Sequence, residues 1–351
     1  MISNLRLQNF RSYRDATFEF GEGVNIIVGP NASGKTNLLE AILVLARGKS
    51  YRAADQEMIK HKAKWARLDA QQADQSRSVV WRDADQSLSK EFKDGGTVLK
   101  RLPITRQLPA VIFEPNSLQY LTQSPSLRRE FIDDIIERTD PLFASSNRYY
   151  KRALAQRNAL LKQTKAFTLD QIFIWNVRLS ELGGQIVDSR RRFIDNNQTE
   201  LAKLYRKLAG KKHSATLEYR TKITSQNYGT QMLKVLEDRL DLDKTLGYTT
   251  VGPHRDDIMP VLDGHDLMDS GSRGETRTML LALKLLEVQT LEKLLGRKPI
   301  LLLDDVFSEL DGKRRLALTT YLKNHQTFIT TTDADNVIEH FLNNCTVIPT
   351  G

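Results

Sequence analysis

Two segments at opposite ends of the chain constrain its fold more than anything else. Near the start, an apolar run, Val24-Asn-Ile-Ile-Val28, enters Gly29-Pro-Asn-Ala-Ser-Gly34-Lys35-Thr36. A stretch of helical periodicity then carries Leu38, Leu39, Ile42, Leu43 and Leu45 towards Arg47. Near the end, Ile300-Leu-Leu-Leu303 stops at two carboxylates, Asp304-Asp305, and Ser308-Glu-Leu-Asp311 follows. Strand, glycine-rich turn and helix in that order make a cradle for phosphate, and such a cradle needs an acidic strand beside it. Most of the 351 residues lie between the two halves. A large insertion must therefore leave the domain and return to it.

The residue types carry a definite chemistry. Gly29-x4-Gly34-Lys35-Thr36 matches the P-loop pattern in full. The loop Gly29, Pro30, Asn31, Ala32, Ser33 and Gly34 wraps phosphate oxygens with the backbone N–H groups of every residue but Pro30, helped by the helix N-terminus. Lys35 reaches the β- and γ-phosphates of ATP, and the Thr36 hydroxyl ligates Mg²⁺. Asp304 is expected to hold the same Mg²⁺ through water. Asp305 is the candidate base or water-positioning group. Lys35, Asp304 and Asp305 are thus the candidate catalytic set. Alone, the acidic pair is also what two surface acids at a strand end look like. The P-loop gives it meaning.

Composition narrows the class. A 40% hydrophobic content supplies ordinary globular cores, and the single cysteine, Cys345, allows no internal disulfide. That fits a reducing cytoplasm. No apolar run approaches the roughly 20 residues of a membrane span, and the N-terminus lacks a signal-peptide pattern. The net charge of +9 is concentrated in the middle of the chain. From Ser189 to Lys222 ten basic residues face three acidic ones. Arg190, Arg191, Arg192, Lys203, Arg206 and Lys207 are the candidate DNA contacts, because such a stripe attracts phosphate backbones. A solvated helix face has the same composition.

Periodicity divides the chain into a head, residues 1–115 and 246–351, and a helical arm, 116–245. In the head, strands are expected at Ile2–Gln8, Ala16–Phe20, Val24–Val28, Pro109–Phe113, Pro299–Leu303, Thr327–Thr331 and Thr346–Ile348. Helices are expected at Thr36–Arg47, Glu275–Leu295, Gly312–Leu322 and Asn336–Leu342, and residues 63–113 look like β structure. In the arm, Ser124-Pro125 and Asp140-Pro141 are helix starts. The second of these helices is expected to reach about Lys165. A third runs from Leu169 to Ala209, bent or broken near Gly183-Gly184 and stopped by Gly210. Tyr149, Tyr150 and Trp175 are expected in its core. His254-Arg255-Asp256-Asp257 reads as a hydrogen-bonded turn rather than a metal site.

Ser272-Arg273-Gly274-Glu275, at a helix start upstream of the acidic strand, resembles the signature of ABC-type ATPases. Ser272 and Gly274 match it, while Arg273 and Glu275 depart from the transporter form. Asp311 matches the Asp of the loop after the acidic strand. That resemblance implies two ATPs sandwiched between two heads, with the signature of one capping the ATP of the other. The usual switch His is absent, since Thr330-Thr-Thr332 stands there, and the phosphate-sensing glutamine has no clear counterpart near Phe113-Glu114-Pro115. These departures suggest a switch rather than a pump.

Further blocks resemble the RecF family of SMC-like ABC ATPases. They are Leu5–Tyr13, Asn31–Glu40, Gly48-Lys-Ser-Tyr-Arg52, Arg128-Arg129 with Phe131 and Asp133, Tyr149–Leu161, Gly252–Asp257 and Ser272–Glu287. The resemblance implies an α/β fold: a P-loop ABC/SMC-type ATPase head with a mixed sheet and an inserted, short coiled-coil-like helical arm. It implies an ATP-driven homodimer that binds double-stranded DNA and gapped or single-strand-containing junctions. Slow hydrolysis would release the DNA, and RecO and RecR would act with the protein to load RecA. An architectural SMC-like ATPase of chromosomes or of a nuclease complex predicts a far longer coiled coil. A transporter ATPase predicts the missing His and an Asp-Glu pair.

Overall fold

The computed structural model describes residues 1–350 except 73–74, 85–86, 164–167, 211–212, 224–226, 308–309, 334, 340 and 342–344. Ser308, Glu309 and the helix ends expected at Lys165 and Leu342 therefore lie outside the described residues. The chain begins β1 (Asn4–Phe10), β2 (Tyr13–Glu19), β3 (Val24–Val28), α1 (Lys35–Arg47), β4 (Trp65–Gln72), β5 (Gln75–Ala84), β6 (Ser87–Asp94), β7 (Thr97–Leu99) and β8 (Ala110–Phe113). It continues with α2 (Gln119–Thr122), α3 (Pro125–Thr139), α4 (Pro141–Leu161), α5 (Leu169–Ala209), β9 (Ala215–Arg220), α6 (Tyr228–Asp238), α7 (Leu240–Leu246), β10 (Asp257–Leu262) and β11 (His265–Asp266). It ends with α8 (Leu267–Ser270), α9 (Arg273–Leu295), β12 (Ile300–Asp304), α10 (Gly312–Leu322), β13 (Thr327–Thr331), α11 (Asp335–Ile338) and β14 (Cys345–Pro349). Two compact units result, one of 1–116 with 287–351 and one of 117–286.

The first unit holds two sheets. A five-stranded parallel sheet has the order β14-β3-β13-β12-β8. All four residues of β8, all five of β13 and the apolar part of β12 are buried, as continuous apolar strands in a covered parallel sheet should be. An antiparallel sheet has the order β2-β1-β4-β5-β6-β7. There burial alternates, with Leu5, Leu7, Ala66, Leu68, Val79 and Trp81 inward. One apolar cluster draws on both sheets and on α1, through Leu38, Leu39, Ile42, Leu302, Phe328 and Trp81 among others. Each such side chain contributes about 1.5–3 kcal/mol on burial. The mixed strand directions expected of one sheet are thus shared between two, because the antiparallel strands pair only with each other.

The second unit is built on α3, α4 and α5. Pro125 and Pro141 occupy first-turn positions, and the Asp140 carboxylate accepts from the N–H groups of Leu142 and Phe143. The Thr168 hydroxyl and the Gln171 side chain form a capping box at the start of α5. The helix then runs 41 residues without a break to Gly210, which ends it at φ 65°. Gly183 and Gly184 do not break it. A Cβ on Gly183 would come within 2.7 Å of the Met232 sulfur, and Gly184 lies against the backbone of Gly229. These glycines let α6 approach α5 closely.

Three expectations change here. Residues 116–245 are not wholly helical, since β9 pairs antiparallel with β10 and β10 with β11. That pairing, from Ala215↔Leu262 to Arg220↔Asp257, places 246–286 in the second unit rather than in the head. Tyr149 is 44% exposed, so of the expected aromatic core only Tyr150 is fully buried; Trp175 is half-buried.

A polar network holds the second unit's interior. Arg157 and Asp243, both with 0% side-chain exposure, pair at 2.7 Å, and Arg157 also donates to Asn176 and Thr249. Arg128 forks onto Asp257, and Asp256 accepts from the Tyr219 and Tyr228 hydroxyls. The His254 Nδ1 and the Tyr150 hydroxyl are 2.7 Å apart, and Nε2 lies 3.2 Å from the Thr249 carbonyl. A neutral ring satisfies both, accepting from Tyr150 and donating to Thr249. Burial, with Arg255, Arg129 and Arg190 nearby, pushes the His254 imidazole down to about 4.

A depressed imidazole means that the unfolded chain binds the proton more readily. His254 therefore contributes stability above pH 6.5 that is lost as the pH falls towards 4. Urea unfolding at pH 7 and pH 5 should show about 2 kcal/mol of acid destabilisation from this group. His254→Asn should flatten that part of the slope, and an unchanged slope in the variant would remove His254 as its source.

Candidate nucleotide site

The glycine-rich segment links β3 to α1, both in the first unit. Gly34 caps α1 at φ 101°, in the left-handed region that favours glycine, and no side chain caps the helix. The first-turn N–H groups therefore face outward without a side-chain acceptor, in the arrangement that binds anions. A Cβ on Gly29 would collide with the Thr350 carbonyl, so glycine is required there for packing. The Ser33 and Thr350 hydroxyls stand 2.8 Å apart, and Thr350 N–H donates to the Val28 carbonyl. The penultimate residue of the chain thus braces the loop.

Lys35 lies over this loop and donates to the Gly29 and Pro30 carbonyls at 2.7 and 2.8 Å. Thr36 begins the next step of α1, and its Oγ1 donates to Asp304 Oδ1 at 2.9 Å. The two residues are 268 positions apart in sequence. Asp304 ends β12 and also accepts from Thr330 Oγ1 at 2.8 Å and, more distantly, from the Tyr51 hydroxyl. Burial and the Asp304 charge raise the Tyr51 phenol, keeping it a donor. Tyr13, pushed up to about 12 by burial, donates to the Gly34 carbonyl. Asp305 is exposed at φ 52°, with its N–H held by Thr330 Oγ1 at 2.9 Å.

Beside the loop, Glu40 is fully buried on α1. It accepts a two-pronged contact from Arg11 and single bonds from Arg52 and Ser50. Burial alone would raise this carboxyl, but the three donors outweigh it and hold it below its usual range. Arg52 is thus engaged by a structural salt bridge.

The sequence-derived residues do not all gather here. Lys35, Thr36, Asp304 and Asp305 converge, with Gly29, Pro30, Asn31, Ala32, Ser33 and Gly34 forming the loop. Ser272, Arg273, Gly274 and Glu275 belong to the second unit, at the start of α9. Ser272 N–H and Oγ both donate to the Glu275 carboxylate at 2.8 Å, a capping box that accounts for Glu at the departing position. Asp311 caps α10, accepting from Arg314 N–H at 2.9 Å. Thr330, Tyr51, Tyr13 and Thr350 escaped the sequence reading as site residues. Only the hydroxyl-rich end of β13, next to the acidic strand, hinted at the first.

The basic stripe is corrected at one position. Arg190 is 3% exposed, forks onto Asp133 at 2.8 Å and donates to the Pro253 carbonyl. Burial works against its charge, but Asp133 outweighs it and raises the guanidinium. Consecutive residues on a helix point about 100° apart, so Arg190 faces the core while Arg192 is exposed. Arg191 is half-buried over the Tyr219 ring. Lys203, Arg206 and Lys207 are exposed. Among the described residues, no helix is long and apolar enough to cross a membrane.

Comparison with known proteins gives the family. Residues 1–349 match the RecF/RecN/SMC N-terminal domain. The DNA replication and repair protein RecF of Lachnoclostridium phytofermentans is 33% identical over 98% of this chain and 95% of its own length. RecF of Acetivibrio thermocellus is 34% identical over 95% and 94%. The solved recombination mediator protein RecF-ATP of the RecFOR pathway superposes with a TM-score of 0.86 at 30% identity, covering 95% of this chain and 92% of that one. The Smc head domain from Pyrococcus furiosus, at 18% identity, 97% and 91% coverage and a TM-score of 0.53, shares the fold alone. The α/β head expected from the two ends of the sequence is therefore the one observed, and the chain belongs to the RecF family of DNA replication and repair proteins, within the RecF/RecN/SMC group.

Proposed function

We propose that this protein is an ATP-controlled DNA-binding switch of recombinational repair. The observation that carries the reading is the 2.9 Å contact between Thr36 Oγ1 and Asp304 Oδ1, beside a lysine folded onto the loop. Thr36 and Asp304 present hard oxygens, the donor type that Mg²⁺ takes. Thr36 would hold the ion directly and Asp304 through water. Bound Mg²⁺ supplies neutralisation of charge on the β- and γ-phosphates. Lys35 would exchange its two carbonyl partners for phosphate oxygens, and the open N–H groups of α1 would take others. Asp305 would orient or deprotonate the attacking water. Slow, DNA-stimulated hydrolysis suits a switch.

Ser272 and Gly274 would complete the ATP site of a second copy, which makes ATP the controller of a homodimer. The match of Ser272 and Gly274 to the ABC-type signature, at the start of α9, supports this reading. DNA, as duplex or as a gapped junction with single strands, would lie along the exposed basic residues Arg192, Lys203, Arg206 and Lys207. Positions 192, 203 and 206 fall near one face of a 3.6-residue helix. Arg190 has no part in this contact. Hydrolysis would release DNA, and RecO and RecR would act with the dimer to load RecA.

Three outcomes test the proposal. Lys35→Ala should lose ATP binding and with it ATP-dependent dimerisation in light scattering; normal dimers would displace the loop from its role. Asp305→Ala should bind ATP yet hydrolyse it at least about tenfold more slowly. Changing Arg192, Lys203, Arg206 and Lys207 to Gln should weaken DNA binding, lowering the log–log salt slope by about 0.9 per lost phosphate contact. An unaltered slope would leave the stripe a solvated face.

A further inference from the structure

One hydroxyl touches both carboxylate residues of the nucleotide site. Thr330 lies on β13, between β12 and β3, and is directly paired with Asp304 in the parallel register. Its residue is 0% exposed. Its Oγ1 lies 2.8 Å from Asp304 Oδ1 and 3.4 Å from the Leu303 carbonyl. A hydroxyl has one hydrogen, and the shorter bond to a charged acceptor takes it. The same oxygen accepts the Asp305 N–H at 2.9 Å. Donor and acceptor capacity are thus spent on neighbouring residues with different tasks. Threonine's branched side chain is stiff at χ1, and a central strand fixes its backbone.

Asp304 Oδ1 receives two hydroxyls, from Thr36 and from Thr330. Thr36 can offer a lone pair to a metal ion and still donate its proton to Asp304, so both hydroxyls can hold the carboxylate with the ion in place. Of the two, Thr330 also reaches the next residue, Asp305. Asp305, meanwhile, sits at φ 52°, a left-handed conformation that L-residues enter at some cost. The bond from its N–H to Thr330 opposes relaxation of that turn.

We propose that Thr330 is the positioning residue of this site: its hydroxyl aims the Asp304 carboxylate at the Mg²⁺ position and holds the Asp305 turn. The inference rests on the ATP-switch reading above. It goes beyond that reading by assigning a function to the place where a switch His is missing.

The test compares wild type, Thr330→Val and Thr330→Ser, each checked for folding by circular dichroism. Val keeps the shape and removes the hydroxyl; Ser keeps the hydroxyl. Two readouts are taken: ATP turnover, and binding of a fluorescent ATP analogue titrated with Mg²⁺ or held in EDTA. Thr330→Val should lower kcat about tenfold and raise the half-saturating Mg²⁺ about tenfold, the usual loss for a partner that orients a metal-site carboxylate. Its nucleotide affinity in EDTA should stay within about threefold of wild type. Thr330→Ser should stay within about threefold of wild type throughout.

A Val variant with wild-type kcat and Mg²⁺ dependence overturns the proposal. So does a Ser variant whose kcat and Mg²⁺ dependence fall about tenfold from wild type, a criterion that needs no folded Val variant. A wild type that binds no ATP analogue sinks the ATP-switch reading itself. ATP binding by wild type with indifference to Thr330 sinks only this inference.

Discussion

The structure of the first unit depends on a strand from the chain's beginning being enclosed by strands from its end. β3 pairs with β14 on one side and β13 on the other, and β12 follows next to β13. In a parallel sheet the loops that can hold a ligand lie beyond the carboxyl ends of the strands. With β3, β13 and β12 adjacent and parallel, the loop after β3 and the acids at the end of β12 arrive at the same edge. The nucleotide site is a consequence of that order. Parallel pairing also demands crossover connections, so the segment between β8 and β12 could grow into a second unit without disturbing the sheet.

The second unit solves a different problem. Its interior contains charged groups, including Arg157 with Asp243, and Arg190 with Asp133. Burying an ion pair brings little net stability, but breaking one leaves a charge without its partner and costs about 3–5 kcal/mol. Such pairs therefore penalise alternative packings of α3, α4, α5 and α7. Gly183, Gly184 and Gly229 bring α6 near α5, where bulkier residues would push it away. A uniformly apolar interior would pack these helices with less discrimination among registers.

Much of this was legible in the linear sequence. Val24–Val28, Gly312–Leu322 and Thr327–Thr331 form the elements their patterns indicate, and Leu169–Ala209 has the bounds read from its periodicity. What failed did so for identifiable reasons. Ala215–Arg220 alternates as a strand should, but it is short and lies among helices. Gly183-Gly184 suggested a break because local propensity disfavours glycine in helices; contact with Met232 and Gly229 overrides that preference. Arg190 carries the same local signal as Arg192. Only the helix's orientation against Asp133 turns one inward and leaves the other in water.

The split P-loop and acidic strand, by themselves, determined that a phosphate cradle exists and that the chain's ends must meet around an insertion. Spacing and residue chemistry suffice for that, because glycine, lysine, threonine and aspartate each have few other reasons to occur in that order. Tertiary structure alone decided which hydroxyl holds which carboxylate. Thr330 becomes the neighbour of Asp304 only through the β12–β13 register, a relation between strands that no local pattern encodes.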